Sequence, residues 1–265
     1  MKQAPGESSV NRLFKYRRFN DHTLRIIECN ELWFSSPREF NDPFDCKPQF
    51  VFSDDYQERL AFAVGIVRRK HPNSPESKIL RVAKKELAKT PESNFQKALP
   101  DIHRAGLALL ENSAICCFTA VSDDILMWSH YADGHKGLCL EFEATNRTRF
   151  FGAAQRVTYK GSFPVVRIGS LNSEEWVEAA FLTKSSRWSY EYEWRIVEPD
   201  KGPGKYIFPG ELLKSVILGC MMQDENKVKI KKVLARRPHS VKLYEAKQKR
   251  GEFALELVPQ IDIFT

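Results

Sequence analysis

The chain has 265 residues, of which 42% are hydrophobic and 12% aromatic, so it can bury a core as one large domain or two small ones. This composition excludes a wholly disordered chain. No apolar run is long enough to cross a bilayer, and the first residues lack a secretory pattern, so we expect a cytoplasmic protein without a membrane partner. The six cysteines form no C-x-x-C pair, and we expect free thiols, most of them buried.

The net charge of +7 is unevenly distributed along the chain. Residues 226–250 contain ten Lys or Arg and one acidic residue, Glu245, so this segment carries +9 and the remaining chain carries −2. We expect a basic helix from Glu225 to Arg236, with several of its cations on one stripe. The stripe residues are Lys227, Lys231, Lys232 and Arg236. Such a stripe is typical of nucleic-acid binding, and equally of a solvated helix face.

The first predicted elements precede a long helical segment. Residues 1–11 are polar and predict a flexible N-terminus. LFKYR at 13–17 and LWFSS at 32–36 predict two strands, with a helix between them that Asn20 or Asp21 caps. Apolar residues then recur at helical spacing in about three stretches, which predicts a helical insertion over about 54–112.

Strand patterns return after the insertion. Continuous or alternating apolar residues predict strands at 113–119, 137–143, 155–161, 187–197, 214–219, 241–246 and 253–258. Helical patterns lie between them at 123–132 and 173–184. Runs of strands with helices grouped elsewhere favour an α+β fold. We therefore predict one α+β domain over 12–265, with a mixed sheet and a helical insertion.

The segment RWSYEYEWRIV at 187–197 contains a notable polar pattern. On a strand, Glu191, Glu193 and Arg195 would lie on one face and the aromatic residues on the other. Carboxylates in such a position can accept hydrogen bonds from ribose hydroxyls or stabilise an oxocarbenium-like state. Alternatively, Glu193 forms a structural ion pair with Arg17 or Arg195.

Other polar and aromatic residues predict a cleft for an anionic, partly aromatic ligand. Lys15 and Arg17 share a face of their strand and can pair with phosphate. Ser35 or Ser36 can hydrogen-bond a ribose or an amide. Three aromatic side chains are candidates for stacking on a flat ring: Tyr16, Tyr131 and Trp188.

Standard cofactor motifs are missing from the sequence. It contains neither G-x-x-x-x-G-K-[ST] nor G-x-G-x-x-G, so a standard phosphate loop is not expected. His130 and His135 are five residues apart without a Cys partner, which is poor spacing for zinc. Cys117 lies in an apolar run that would raise the pKa of its thiol, which argues against a thiol nucleophile. We therefore expect no metal.

Four motifs in register resemble those of a bacterial family known only as a domain of unknown function. They are LFKYR, FSSPREFNDPFD, ILMWSHYADGHKG and KSSRWSYEYEWR. The resemblance extends over nearly the whole chain, from Leu13 to Val258. A more remote resemblance is to ADP-ribosyltransferases, which have a basic or His residue on the first strand, a hydroxyl residue on the second and a late E-x-E. That resemblance implies an ADP-ribosyltransferase-like split sheet.

The remote resemblance also implies roles for individual residues in an NAD site. Glu193 would be catalytic, and Glu191 would orient the acceptor. Tyr131 would stack on the nicotinamide. The residues that would contact NAD are Lys15, Tyr16 and Arg17 on the first strand, Ser35 or Ser36 on the second, and His130, Tyr131 and Trp188. The chain departs from the family in its Lys-Tyr-Arg order and its long insertion.

Two functions of different classes follow as expectations. The first is an ADP-ribosyltransferase or NAD glycohydrolase that uses NAD as substrate, acts on an unidentified macromolecule such as a nucleic acid or a protein, and serves in bacterial or phage defence. The second is a non-catalytic module that binds a nucleotide or a nucleic acid. In a third interpretation, the motifs have only structural roles and the chain is an interaction protein.

Overall fold

The computed structural model describes residues 10–168 and 173–260, without the side chains of residues 92, 93, 95, 96, 173 and 174. The strands in this part of the chain are β1 (Arg12–Arg17), β2 (Glu31–Phe34), β3 (Gln49–Phe52), β4 (Ala114–Thr119), β5 (Leu138–Glu143), β6 (Gln155–Arg156), β7 (Thr158–Lys160), β8 (Val165–Ile168), β9 (Thr183–Ser185), β10 (Glu193–Glu198), β11 (Gly204–Ile207), β12 (Leu213–Leu218), β13 (Lys242–Gln248) and β14 (Leu255–Pro259). The α-helices are α1 (Asp21–Cys29), α2 (Tyr56–Lys70), α3 (Glu76–Lys89), α4 (Glu92–Glu111), α5 (Ile125–Tyr131), α6 (Ser173–Phe181) and α7 (Asp224–Leu234).

The chain divides into two compact units, whereas the sequence predicts one domain with an insertion over about 54–112. The first unit comprises residues 1–35, 114–157 and 187–265, and the second comprises residues 36–113 and 158–186. The three predicted insertion helices are present as α2, α3 and α4. The second unit also contains four short strands, so it is more than a helical insertion.

The first unit is built on one mixed sheet, which confirms the predicted α+β class. Its eight strands follow the order β14-β13-β12-β5-β1-β4-β10-β6. Only the β12–β13 pair is parallel; the other neighbours are antiparallel. The strands hydrogen-bond in one continuous order, and the ADP-ribosyltransferase-like arrangement remains a prediction.

Local sequence explains how α1 forms beside this sheet. Asn20 is the N-cap, and its side chain accepts a hydrogen bond from the Thr23 N–H. Asn30 ends the helix with φ 56°, a left-handed conformation that Asn tolerates. Ile26 and Ile27 are buried against the sheet in a core that includes Leu13 and Phe34.

The second unit pairs a helical hairpin with two small strand pairs. Helices α2 and α3 pack through Leu60, Val67, Ile79 and Ala83. Strand β3 pairs in parallel with β8, and β7 pairs in parallel with β9. Gly106 of α4 lies under a phenyl ring, since a Cβ there would come within 2.5 Å of Phe50. A larger residue at 106 would therefore displace that ring.

Several elements differ from the sequence-based prediction. The segment 187–197 is not one strand: Ser186–Glu191 forms a 3₁₀ turn, Tyr192 has φ 43°, and β10 begins only at Glu193. Alternation therefore does not relate Glu191 to Glu193. The predicted helix at 123–132 is shorter: α5 spans Ile125–Tyr131 and is capped by Asp124. The pairings β3–β8 and β2–β11 were not predicted, because their strands have only four residues each.

Two further findings bear on the environment and on the thiols. None of the helices in the described residues combines the length and apolar character that a membrane span requires. All six cysteines are free thiols; Cys29 is exposed, Cys117 and Cys220 are half-buried, and the other three are buried. Burial raises the pKa of the Cys116, Cys117 and Cys139 thiols. The predicted flexible N-terminus lies largely outside the described residues.

Candidate functional site

The central strand β1 separates its side chains onto two faces of the sheet. Leu13, Lys15 and Arg17 lie on one face, together with the core formed by Leu13 and Ile26 of α1. Phe14 and Tyr16 lie on the opposite face, where Tyr16 packs against Trp128 of α5. We call these the α1 face and the α5 face.

Strand register puts Glu193 and Arg195 on the α5 face. Thr119 of β4 is opposite both Phe14 of β1 and Glu193 of β10, so these three side chains share a face. Arg195 lies two residues after Glu193 on the same strand. The sheet therefore separates Glu193 from Lys15 and Arg17. The expectation that these residues converge in one cleft is wrong, because their strands have opposite alternation at this point.

A basic pocket lies on the α1 face, between β1, α1, β2 and β11. Its lining is Lys15, Arg17, His22, Arg25, Ile26, Glu31, Leu32, Trp33 and Lys205. Glu31 is the only carboxylate in this lining and accepts two hydrogen bonds from Arg25, both 2.7 Å long. Lys15 Nζ donates to the Cys117 carbonyl at 2.7 Å and lies 5.2 Å from the centre of the Phe118 ring. The pocket thus has an excess of positive charge.

Arg17 is the least satisfied cation of this basic pocket. Its Nε is buried and has no hydrogen-bond partner among the described residues. Burial lowers the pKa of the Arg17 guanidinium, and the neighbouring Arg18 adds to the effect. A guanidinium stays charged at ordinary pH, so a buried one needs a hydrogen-bond acceptor or an anion beside it.

Glu193 and Arg195 form a buried ion pair on the α5 face. Arg195 Nε lies 2.8 Å from Glu193 Oε1, and an Arg195 NH2 group lies 3.0 Å from Glu193 Oε2. The Arg195 side chain is 0% exposed and that of Glu193 is 5% exposed. This bidentate geometry matches the structural alternative of the sequence analysis.

Glu191 belongs to a different group, which we call the aromatic–carboxylate cluster. Its carboxylate accepts a hydrogen bond from the Tyr131 hydroxyl at 2.6 Å, and its carbonyl accepts one from Thr119. Tyr190 lies between two other rings, 6.4 Å from His130 and 6.0 Å from Trp188. Three predicted ligand residues, Tyr131, His130 and Trp188, are therefore close to Glu191.

The remaining predicted ligand residues have structural contacts. Tyr16 is a buried core residue; its hydroxyl donates to the Val121 carbonyl at 3.2 Å, and burial raises its pKa. The Ser35 backbone bridges to Ile115. Ser36 belongs to the second unit, where its hydroxyl donates to the Glu111 carbonyl and accepts from the Arg38 N–H. Their assigned roles in an NAD site gain no support from these contacts.

The basic C-terminal segment is partly neutralised. Lys227 donates to Glu245 at 2.7 Å, and this hydrogen bond raises the pKa of Lys227. Helix α7 ends at Leu234, so Arg236 lies beyond the helix and not on its stripe. Of the four predicted stripe residues, only Lys232 and Arg236 are exposed. Nucleic-acid binding by this segment remains a prediction.

Of the residues that line the basic pocket, sequence reasoning identified only Lys15 and Arg17 as candidate ligands. His22 and Arg25 lie on α1, while Lys205 on β11 pairs with Trp33 on β2. Side chains of ELWF alternate between the two faces of β2, and Glu31 and Trp33 lie on the exposed face. This alternation could have identified both residues as part of the rim of the basic pocket. No comparable sequence pattern identified Lys205, because the paired strands β2 and β11 are far apart in sequence.

Comparison with known proteins gives one match. Residues 127–196 match the model of a family described as a protein of unknown function (DUF2971). This is about a quarter of the chain and extends from α5 to β10, so it contains the aromatic–carboxylate cluster but not β1. No curated protein matches, and no solved structure matches. The chain is thus similar to a family of unknown function in this segment.

Proposed function

We propose that this chain binds one phosphate group of a nucleotide in the basic pocket on the α1 face. The observation that carries the proposal is the buried Arg17 Nε, which lacks a hydrogen-bond partner among the described residues. Burying a charged group without a partner is costly, and a phosphate oxygen is the acceptor that best compensates for it. Lys15 and Lys205 add positive charge to the same pocket.

The shape of the pocket favours a nucleotide over a bare ion. The pocket has a volume of only about 30 Å³, so it has room for one small group, and the rest of a ligand would lie across the rim. Trp33 is on that rim and is 48% exposed, so its ring offers a surface on which a base can stack. A ligand with a phosphate group in the pocket and a base stacked on Trp33 is a nucleotide.

Calorimetric titration tests this proposal with ADP, pyrophosphate and a single-stranded oligonucleotide. We expect ADP to bind the wild type, and Arg17→Met to weaken binding at least about tenfold, the loss expected for one charge-assisted hydrogen bond. Arg18→Met is the matched control, because Arg18 is exposed and does not line the pocket. Equal losses in both variants, or no ADP binding at low salt, would refute the proposal. Binding of the oligonucleotide alone would favour a nucleic-acid module.

A second candidate, cleavage of the nicotinamide–ribose bond of NAD, is supported by the aromatic–carboxylate cluster. A carboxylate beside stacking rings is what an oxocarbenium-like transition state requires. Glu191 meets this requirement with Tyr131 and Trp188 nearby, whereas both Glu193 oxygens are bonded to Arg195. Within this cluster, Glu191 is the carboxylate that we expect to react.

Release of nicotinamide from NAD by purified protein tests the second candidate. The assay compares the wild type with Glu191→Gln and Glu193→Gln, alone and with RNA, DNA and protein mixtures. We expect Glu191→Gln to abolish release while the protein stays folded, as judged by circular dichroism. No release by the wild type with any acceptor would leave nucleotide binding as the function.

A further inference from the structure

The helical hairpin of the second unit forms one side of a large groove. The groove has a volume of about 630 Å³ and is lined by residues of β3, α2, α3 and α4 and by the residues that follow α2 and α3. Its lining is Phe52, Phe62, Ala63, Ile66, Val67, Lys70, His71, Val82, Glu86, Leu87, Thr90, Asn94, Ala98 and Ile102. The volume is within the range of small-molecule sites.

Each helix contributes one continuous stripe to this groove. Phe62, Ile66 and Lys70 of α2 are spaced by four residues, as are Asn94, Ala98 and Ile102 of α4. Apart from Val67, the apolar side chains of the lining are only half-buried. Apolar surface that lines a groove without being closed over marks a place where apolar ligand surface can be buried.

Polar groups are separated toward the two ends of the groove. Arg68 pairs with Glu76 through two hydrogen bonds, which fixes α2 and α3 as an antiparallel hairpin. Lys70 and His71 are therefore at the loop end. Glu86 lies ten residues after Glu76 on α3, about 15 Å along the helix at 1.5 Å of rise per residue, and is therefore away from the loop end.

A small recess extends the loop end and adds further hydrogen-bond donors. It shares Val67, His71 and Val82 with the groove and adds Ser74 and Lys78. Two lysines, a histidine and a serine hydroxyl at one end of an apolar groove form a site for a single anionic head group. The carboxylate of Glu86 lies away from this end.

We propose that the groove binds one molecule of a long-chain carboxylate, with the acyl chain along α2 and α4 and the head group between Lys70 and Lys78. The apolar stripe supplies most of the affinity, because burying each methylene group contributes about 0.8 kcal/mol. The lysines select an anion over a neutral head group and contribute less, because they are exposed to solvent.

Calorimetric titration of the whole chain with dodecanoate, below its micelle concentration, tests the proposal. Dodecanol and dodecylammonium serve as neutral and cationic probes of the same chain length. We expect dodecanoate to bind at one site and to bind more tightly than either probe. Absence of saturable binding, or equal affinity for dodecanoate and dodecanol, would overturn the proposal.

Two pairs of variants locate the binding site. Ala98→Phe fills the groove from α4 and should weaken dodecanoate binding at least about tenfold, whereas Ala105→Phe, on an exposed position of the same helix, should not. Lys70→Gln should weaken binding by up to about fivefold, and its exposed neighbour Arg69→Gln should have no effect. Thermal unfolding confirms that each variant folds. Similar losses within either pair would refute the assignment of the groove.

Discussion

Arg195 donates two hydrogen bonds to the carboxylate of Glu193, the residue two positions earlier on the same strand. Adjacent positions on one strand face usually carry side chains that point in parallel, so a bidentate pair here fixes both side chains against each other. Both side chains are buried. A carboxylate held in this way contributes to the structure of the α5 face, and a catalytic role for Glu193 remains a prediction.

Removal of one partner from this ion pair should destabilise the protein. We expect Glu193→Gln to lower the free energy of unfolding by about 3–5 kcal/mol, because the buried Arg195 would lose the carboxylate to which it donates two hydrogen bonds. Glu143→Gln is the control: Glu143 pairs with Lys214 at 2.7 Å, but both side chains are more than 40% exposed, so the loss should stay below about 1 kcal/mol. Urea unfolding measures both values. A Glu193→Gln variant as stable as the wild type but unable to release nicotinamide would support a catalytic role.

Arg17 should show the opposite behaviour, since its buried Nε has no hydrogen-bond partner among the described residues. Replacing it by Met keeps the apolar stem and removes this buried donor, so we expect the free energy of unfolding to rise by about 1 kcal/mol in the absence of ligand. Arg18→Met should change it by less than about 0.5 kcal/mol. Urea unfolding measures the free energy of unfolding of both variants and of the wild type. A fall in stability for Arg17→Met would mean that the guanidinium is already satisfied.

Arg237 fixes the end of α7 to neighbouring loops. Its guanidinium donates to the Ile27 carbonyl, to Asn30 Oδ1 at 2.9 Å and to the Gly210 carbonyl at 2.8 Å. We expect Arg237→Met to cost about 2–3 kcal/mol of stability, because these acceptors lose a charged donor. The exposed neighbour Arg236→Met should be neutral in thermal unfolding. Equal effects of the two changes would show that Arg237 is solvated like any surface cation.

His135 should make stability depend on pH. Burial lowers the pKa of its imidazole below the ordinary value of 6.5, so the unfolded chain binds a proton more readily than the folded one. Stability is therefore complete above about pH 6.5 and falls as the pH is lowered through that value. We expect His135→Asn, which tolerates the φ of 66° at this position, to lose this component of the pH dependence. Melting temperatures at pH 7.5 and 5.5 measure the effect, and His239→Asn, at an exposed position, should retain the wild-type dependence.

Local patterns predicted most of the secondary structure, and they failed where pairing is non-local. Asn20 caps α1 as expected, and the three helices α2, α3 and α4 follow from their apolar periodicity. The β2–β11 pair joins residues about 170 positions apart, and nothing in either four-residue strand encodes its partner. The basic pocket depends on that pair, so sequence could supply Lys15 and Arg17 but not Lys205.

The predicted strand over 187–197 failed for a different reason. The E-x-E-x-R pattern is correct for Glu193 and Arg195, which do share a face of β10. Tyr192 has φ 43°, and this single left-handed residue ends the alternation before Glu191. A non-glycine residue in that region is uncommon, and no local pattern predicts it.

The distribution of the thiols offers a practical route to ligand measurements. Cys29 is the only exposed cysteine, while burial raises the pKa of Cys116, Cys117, Cys139 and Cys220. A maleimide fluorophore should therefore label the unmodified chain at Cys29, without any cysteine being removed. Cys29 is one helical turn after Arg25, a residue of the basic pocket. A dye at that position would report occupancy of the pocket directly, as a change in its emission when a nucleotide is added.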